Sequence, residues 1–367
     1  MKIKKLFIFF PIFNRGGLED VAINILNSYK NHKLTIYFVT FEKKEIFNIK
    51  NKNLKIITPK VKFKKRTSNL KKIYLCSKKL FQILKKNNPK ECGVLSLQNS
   101  VVSIFLAKIL NYKIVVKNAT PISALMYGNM IKNFFVFFPK IFFYNFADKI
   151  IVNSENNKRT LGYYILNKKK ILKIYNPVKI KKNDRKYSRE KSILYVGRIV
   201  KEKGLDLLID TFYMLRNYDL KLILVGDGDY INHIKKKVKI YNLEHKIEFT
   251  GWKKNTANYY LKSKVLVLPS FFEGFGNVLI EAMSYKIPCI AAKNSGGPDE
   301  ILGNGKFGYM FSSNNKLDLK KKILLCFNQN RSVKRKIYLA SKSLKRFSLK
   351  KCIASYHNVI SSINSMN

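Results

Sequence analysis

The stretch Leu268-Pro-Ser-Phe-Phe-Glu273-Gly-Phe-Gly276-Asn-Val-Leu-Ile-Glu281-Ala-Met283 changes character twice within a few turns of chain. It completes an apolar run, Val265–Leu268, short enough to be a strand buried on both faces. Pro269 ends that run, a loop with glycines at 274 and 276 carries Glu273, and a helical pattern opens near Asn277. Glu281 lies about one turn into that helix. Two carboxylates thus flank a helix N-terminus bordered by flexible backbone. A carboxylate accepts in pairs from the vicinal hydroxyls of a ribose or a hexose. The open N–H groups of a helix start hold phosphate. The constellation fits a nucleotide sugar better than a bare nucleotide; the plainer alternative is a capped helix with a surface glutamate.

Working outward, the same strand–loop–helix unit recurs. Strand-like runs fall at Leu6–Phe10, Leu34–Val39, Leu54–Ile57, Gly93–Leu97, Lys113–Val116, Lys149–Val152 and Ile171–Ile174. A second series falls at Ile193–Val196, Leu220–Val225, Ile247–Thr250, Val265–Leu268 and Pro288–Ala291. Helical patterns such as Leu18–Tyr29, Leu70–Leu84, Gly204–Arg216 and Asn277–Tyr285 lie between them. Continuous apolar strands alternating with helices predict parallel sheets covered on both faces. The polar stretch Val178–Lys191 breaks the alternation and reads as a linker. The expected architecture is therefore α/β: two Rossmann-like, doubly wound domains facing across a cleft. They span residues 1–177 and 192–348 around linker 178–191. Ligands of such sheets sit beyond the carboxyl ends of the strands.

Three further loops lie at such ends. Asn14-Arg15-Gly16-Gly17 follows the first strand and is either a tight turn or a place where backbone N–H groups approach an anion. Gly197-Arg198, then Lys201-Glu202-Lys203-Gly204, follows Ile193–Val196. A guanidinium and an ammonium at a helix start suit a diphosphate. Arg is scarce in this chain, which makes Arg198 the more informative of the two. Val225-Gly226-Asp227-Gly228-Asp229 spells part of a dinucleotide motif and also DxD, but position 231 is Ile rather than a third Gly. It reads as a structural turn. Ser295-Gly-Gly-Pro298 adds a glycine loop on the same edge.

The 367 residues are 46% hydrophobic, enough for two real cores and too many for a disordered chain. Lys+Arg is 72 against Asp+Glu 22, a net charge of +50. Ten of these bases are Arg and 62 are Lys, spread along the chain. A nucleic-acid protein concentrates Arg and interleaves aromatic platforms, and neither is visible. Lys, Asn, Ile and Phe share AT-rich codons, so compositional drift alone accounts for much of the excess. The resulting field still attracts anionic lipid. The five Cys, at 76, 92, 289, 326 and 352, are scattered without a CxxC pair, which argues against disulfides and structural zinc and for a reducing compartment. The run Phe134–Phe146 is too short to span a membrane and contains Pro139 and Lys140.

The chain resembles the large family of retaining, nucleotide-sugar-dependent glycosyltransferases called family 4, or glycosyl transferases group 1, with the GT-B fold. The resemblance is carried by NRGGLEDVAINIL, IIVNSENNKRTL, IYNPV, YVGRIVKEKGLDLLIDTF, LVGDGDYINHI, IEFTGW, VLVLPSFFEGFGNVLIEAMSYKIPCIA and SGGPDEIL. The pairing of Glu273 and Glu281 with the GR…EKG segment is the specific part. It implies that Arg198 and Lys203 hold the donor diphosphate, with Glu273 beside them as a third catalytic residue contacting the transferred sugar. Gly274, Phe275, Gly276 and Asn277 would line the sugar, and Glu281 would accept from the ribose. Gly16 and Gly17 would approach the phosphates, and Gly251 with Trp252 would lie near the base. Many members carry a His after the strand that here reads IVVK, where this chain has Asn118. The C-terminal helix, residues 349–367, would cross back to the first domain.

The implied activity is transfer of a hexose or N-acetylhexosamine, with retention, from a nucleotide-diphosphate sugar, a UDP-sugar being expected. The acceptor would be a growing cell-surface glycan: lipopolysaccharide or lipooligosaccharide, capsule or lipid-linked oligosaccharide. No cofactor and no metal are expected, the cationic clamp replacing one, and no nucleic-acid partner. The expected location is cytoplasmic, on the inner face of the plasma membrane. A nucleotide-sugar epimerase or a phosphorylase of the same fold is the alternative.

Overall fold

The computed structural model describes the chain apart from residues 1–2, 14–15, 30–33, 43–48, 50, 61–66, 123–129, 181–188, 329 and 364–367. Asn14, Arg15, the middle of linker 178–191 and residues 127–129, ahead of the Phe134–Phe146 run, therefore lie outside the described residues. The chain divides into two units, Met1–Pro177 with Leu349–Asn367, and Val178–Ser348.

The first unit is built on a seven-stranded parallel sheet. Its strands are β1 (Lys5–Phe9), β2 (Thr35–Val39), β3 (Leu54–Ile57), β4 (Cys92–Ser96), β5 (Ile114–Asn118), β6 (Lys149–Val152) and β7 (Ile171–Lys173), in the order β3-β2-β1-β4-β5-β6-β7. Its helices are α1 (Gly17–Ser28), α2 (Asn69–Lys85), α3 (Ser100–Ile109), α4 (Met130–Tyr144) and α5 (Glu155–Gly162). Alternation along β1 shows why both faces are covered. Leu6 and Ile8, followed by Phe10, enter one apolar cluster with α1, while Phe7 and Phe9 enter another with α2 and α3. A period of two with every position apolar leaves a strand no wet face.

The last helix, Leu349–Ser361, joins this first unit and packs against α1. Its Tyr356 is fully buried and accepts a hydrogen bond from the Lys117 ammonium of β5 at 2.6 Å. Burial pushes Lys117 down to about 7. Beside it, His357 stacks on Tyr29 at 4.2 Å.

The second unit holds a six-stranded parallel sheet. Its strands are β8 (Ser192–Val196), β9 (Lys221–Val225), β10 (Ile247–Gly251), β11 (Val265–Leu268), β12 (Cys289–Ala292) and β13 (Tyr309–Phe311), in the order β10-β9-β8-β11-β12-β13. Its helices are α6 (Leu205–Tyr213), α7 (Ile231–Ile240), α8 (Ala257–Lys262), α9 (Asn277–Ser284), α10 (Gly297–Ile301), α11 (Lys316–Phe327) and α12 (Arg331–Ser343), so Leu349–Ser361 is α13. Ile193 and Tyr195 of β8 pack with Leu208 and Phe212 of α6 in one core. Both sheets run outward in two directions from a central pair, β1 and β4 in one, β8 and β11 in the other. Between the strands of such a pair the connections diverge and leave a crevice at the carboxyl ends.

The structure departs from the sequence reading in detail. Strand β13 was not anticipated: it has three residues and follows the turn-rich 303–308. The helix expected over Gly204–Arg216 is shorter, because Gly204 is an αL cap and the chain leaves the helix after Tyr213 for a turn at 214–217.

Candidate active site at the β8–β11 crevice

Arg198 and Lys203 follow β8, and Glu273 follows β11, so the three stand on opposite lips of the second unit's crevice. Two features bind the lips together. Phe271 donates its backbone N–H to the Glu202 carbonyl at 3.0 Å. Gly204, at φ 68°, lies so close to the Pro269 carbonyl that a Cβ there would sit 2.2 Å from its oxygen. The Lys203 ammonium and the Glu273 carboxylate then form a direct, largely buried ion pair. It fixes the ammonium at the crevice, since a largely buried pair of this kind costs several kcal/mol to break.

Arg198 differs from Lys203. Its side chain is exposed and forms no ion pair among the described residues. What is held is its backbone: the buried Tyr195 hydroxyl donates to the Arg198 carbonyl at 2.7 Å. Burial, and then the Glu273 charge, raise the Tyr195 pKa, keeping it a neutral donor. Gly197, Gly226 and Gly228 pack the next loop beneath. Gly226, at φ 150°, leaves room for the Gly197 carbonyl oxygen, which would lie 1.8 Å from a Cβ. The turn around Asp227 is thus a piece of backbone packing, and the Asp227 carboxylate accepts from the Gly228 N–H at 2.8 Å.

Glu273 itself is strapped to the β12 loop. Its N–H donates to Ser295 at 2.8 Å, and its carbonyl accepts from Gly297 at 3.1 Å. Beyond it, Gly274, Phe275 and Gly276 lead into α9, whose N-cap is Gly276 in αL, a residue with no side chain of its own to cap the helix. Phe275 is buried, whereas Asn277 is half-buried at the helix start. Glu281, in the second turn, accepts from the Tyr260 hydroxyl at 2.8 Å. Gly251 ends β10 and Trp252 follows, 41% exposed.

The structure therefore brings Lys203 and Glu273 into contact and places Arg198, Gly274, Phe275, Gly276, Asn277 and Glu281 on loops and a helix around the same crevice. Gly251 and Trp252 stand at the end of the outermost strand. Gly16 and Gly17 lie in the first unit, where Gly16 caps α1 at the end of β1. The Glu19 carboxylate reaches back to 3.2 Å from where a Gly16 Cβ would be, so that helix start already faces a negative group. Asn118 ends β5, 2% exposed, and its amide nitrogen has no hydrogen-bond partner among the described residues. Tyr195 and Tyr260 went unread in the sequence, since a tyrosine hydrogen-bonded to a distant residue leaves no periodic trace.

Residues 178–343 match the family model for glycosyl transferases group 1, which takes in nearly all of the second unit. The amylovoran biosynthesis glycosyltransferase AmsD of Erwinia amylovora is 25% identical, over 85% of this chain and 87% of that protein. A Campylobacter jejuni protein is 24% identical over 94% of this chain and 95% of its own length. It is named GalNAc-α-(1→4)-GalNAc-α-(1→3)-diNAcBac-PP-undecaprenol α-1,4-N-acetyl-D-galactosaminyltransferase. Among solved structures, Anabaena HepE in complex with UDP and glucose superposes with a TM-score of 0.80 at 18% identity, covering 98% of this chain and 100% of that one. The fold is GT-B, residues 178–343 carry the pattern of the glycosyl transferases group 1, and the chain is a glycosyltransferase.

Proposed function

We propose that the chain transfers a hexose or N-acetylhexosamine from a UDP-sugar, with retention, to a growing cell-surface or lipid-linked glycan. The observation that carries this is the crevice, where one guanidinium, one ammonium and the glycine-led start of α9 surround a site edged by two carboxylates. Negative charge develops on the departing nucleoside diphosphate, and preorganised positive groups lower the barrier. In this reading Arg198 and Lys203 meet the diphosphate and Glu273 with 274–277 meets the sugar. Glu281 accepts from the ribose, and Trp252 and Gly251 border the base. The second unit binds donor and the first binds acceptor. HepE with UDP and glucose supports the donor class, and the undecaprenol-linked substrate named for the Campylobacter relative supports the acceptor class. Retention rests on the family resemblance.

Turnover is expected without added metal, because Arg198, unpaired among the described residues, and Lys203, held by Glu273, already present cationic groups to the diphosphate. Sugar transfer from UDP-sugars, measured before and after EDTA, should be unchanged within about twofold, a difference of less than roughly 0.5 kcal/mol in barrier. Loss of turnover that Mg²⁺ or Mn²⁺ restores would refute the cationic clamp.

The acceptor reading extends to location on the inner face of the plasma membrane, docked on anionic lipid. Among the described residues no helix is long and apolar enough to cross a membrane. Helix α4 instead divides its aromatics: Phe137 and Phe143 turn inward, while Phe134, Phe135, Phe138 and Phe142 are 55–71% exposed. Exposed Phe105 and Ile109 extend this surface onto α3, and α2 adds exposed Tyr74 and Phe81 among Lys71, Lys78 and Lys85. Lys140 does not contribute, being buried over the Tyr144 ring; the Lys132 side chain lies outside the described residues. Rings at headgroup depth flanked by ammonium groups suit an interfacial surface. Sedimentation with vesicles containing phosphatidylglycerol should capture the protein at low salt and less of it at high salt. Phe135→Ser with Phe138→Ser should weaken what remains. A protein that stays in the supernatant at low salt would point to a soluble acceptor.

A further inference from the structure

We propose that Tyr260 is a positioning residue for Glu281, and that the second unit senses the ribose diol of its nucleotide through this pair. The proposal rests on the reading above that Glu281 accepts from the ribose.

Tyr260 sits on the short helix α8 and is 1% exposed. Its hydroxyl donates to Glu281 Oε2 at 2.8 Å across 21 residues of chain. Its ring stacks on Tyr285, immediately after α9, at 5.3 Å and 12° between planes. Glu281 is thus braced twice. The stack fixes α8 against the end of α9, and the hydroxyl fixes the plane of the carboxylate. The Glu281 carbonyl is also engaged, accepting from Ser284 Oγ at 2.7 Å. Burial, and then the neighbouring Glu281 charge, raise the Tyr260 pKa well above the ordinary range, so the hydroxyl keeps its proton.

This bracing matters because a terminal carboxylate torsion is broad and nearly two-fold. Two vicinal hydroxyls are caught together only when both carboxylate oxygens lie in the right plane. A glutamate without the brace pays that ordering on every binding event. Phenylalanine at 260 keeps the ring, the stack and the helix contact and removes only the hydroxyl.

The experiment measures calorimetric affinity for UDP and for 2′,3′-dideoxy-UDP, in the unmodified protein, Tyr260→Phe and Glu281→Gln. The unmodified protein is expected to prefer UDP by about tenfold or more, the scale of one hydrogen bond to a charged group. Tyr260→Phe should lose most of that preference by weakening UDP alone, with dideoxy-UDP unchanged. A Tyr260→Phe protein that keeps the full preference overturns the positioning role and leaves the Glu281 reading intact. Equal weakening of both nucleotides also overturns it, since that is the mark of a merely structural tyrosine. If Glu281→Gln keeps the preference, the Glu281 reading itself fails. A second comparison guards against partial misfolding: in a Glu281→Ala background, Tyr260→Phe should leave UDP affinity unchanged, whereas a further loss would refute the coupling.

Discussion

Arg198→Ala should lower kcat/KM by at least about a hundredfold, on the order of 2.7 kcal/mol of transition-state stabilisation. The guanidinium is exposed and unpaired among the described residues, so its removal opens no cavity and strands no partner. Melting temperature should therefore hold while turnover falls. Tyr195 grips the Arg198 backbone carbonyl, and that grip survives truncation of the side chain. Glu281→Ala should cost a similar factor, concentrated in donor affinity. Lys201→Ala serves as the control, an exposed base two residues before Lys203 on the same turn. Steady-state kinetics with saturating acceptor decide the matter. Near-normal kcat/KM in folded Arg198→Ala would show that the diphosphate sits elsewhere.

Gly226→Ala should be the most damaging small substitution, and its damage should appear in stability rather than in chemistry. The added methyl would meet the Gly197 carbonyl oxygen at 1.8 Å, and φ is 150°. Both partners are backbone, so no rotamer change relieves the clash. Overpacking and strain together are expected to cost about 3 kcal/mol or more. In a unit of this size that corresponds to a fall of roughly 6–12 °C in the melting temperature. A thermal scan showing a shift within about 2 °C, less than 1 kcal/mol on the same scale, would mean that the β8 and β9 loops can separate.

Much of this architecture could be read from apolar periodicity. Leu54–Ile57, Lys149–Val152 and Val265–Leu268 were delimited to the residue, because buried parallel strands are continuous apolar runs ended by turn formers. Tyr309–Phe311 escaped because three residues carry too little pattern. At the crevice, Arg198, Glu273 and Glu281 stood out by residue type against a chain poor in Arg and in acids, and Lys203 only by its place after a strand. Their geometry did not. That Lys203 and Glu273 neutralise each other, or that Tyr260 reaches Glu281, depends on which loops the sheet order places side by side. The aromatic run from Phe134 gave no sign of which rings turn inward, since Phe occurs on every side of that helix.

Helix α13 belongs to the first unit although it is encoded after the whole of the second. On the ribosome, residues 178–348 form one uninterrupted block that emerges ahead of α13. The first unit is not continuous in this way, because Tyr356, the partner of Lys117, emerges only after that block. Until then α1 and β5 present uncovered apolar surface, the kind of transient exposure that recruits chaperones. Birth order and numbering order thus diverge: the unit that starts first is the one that finishes last.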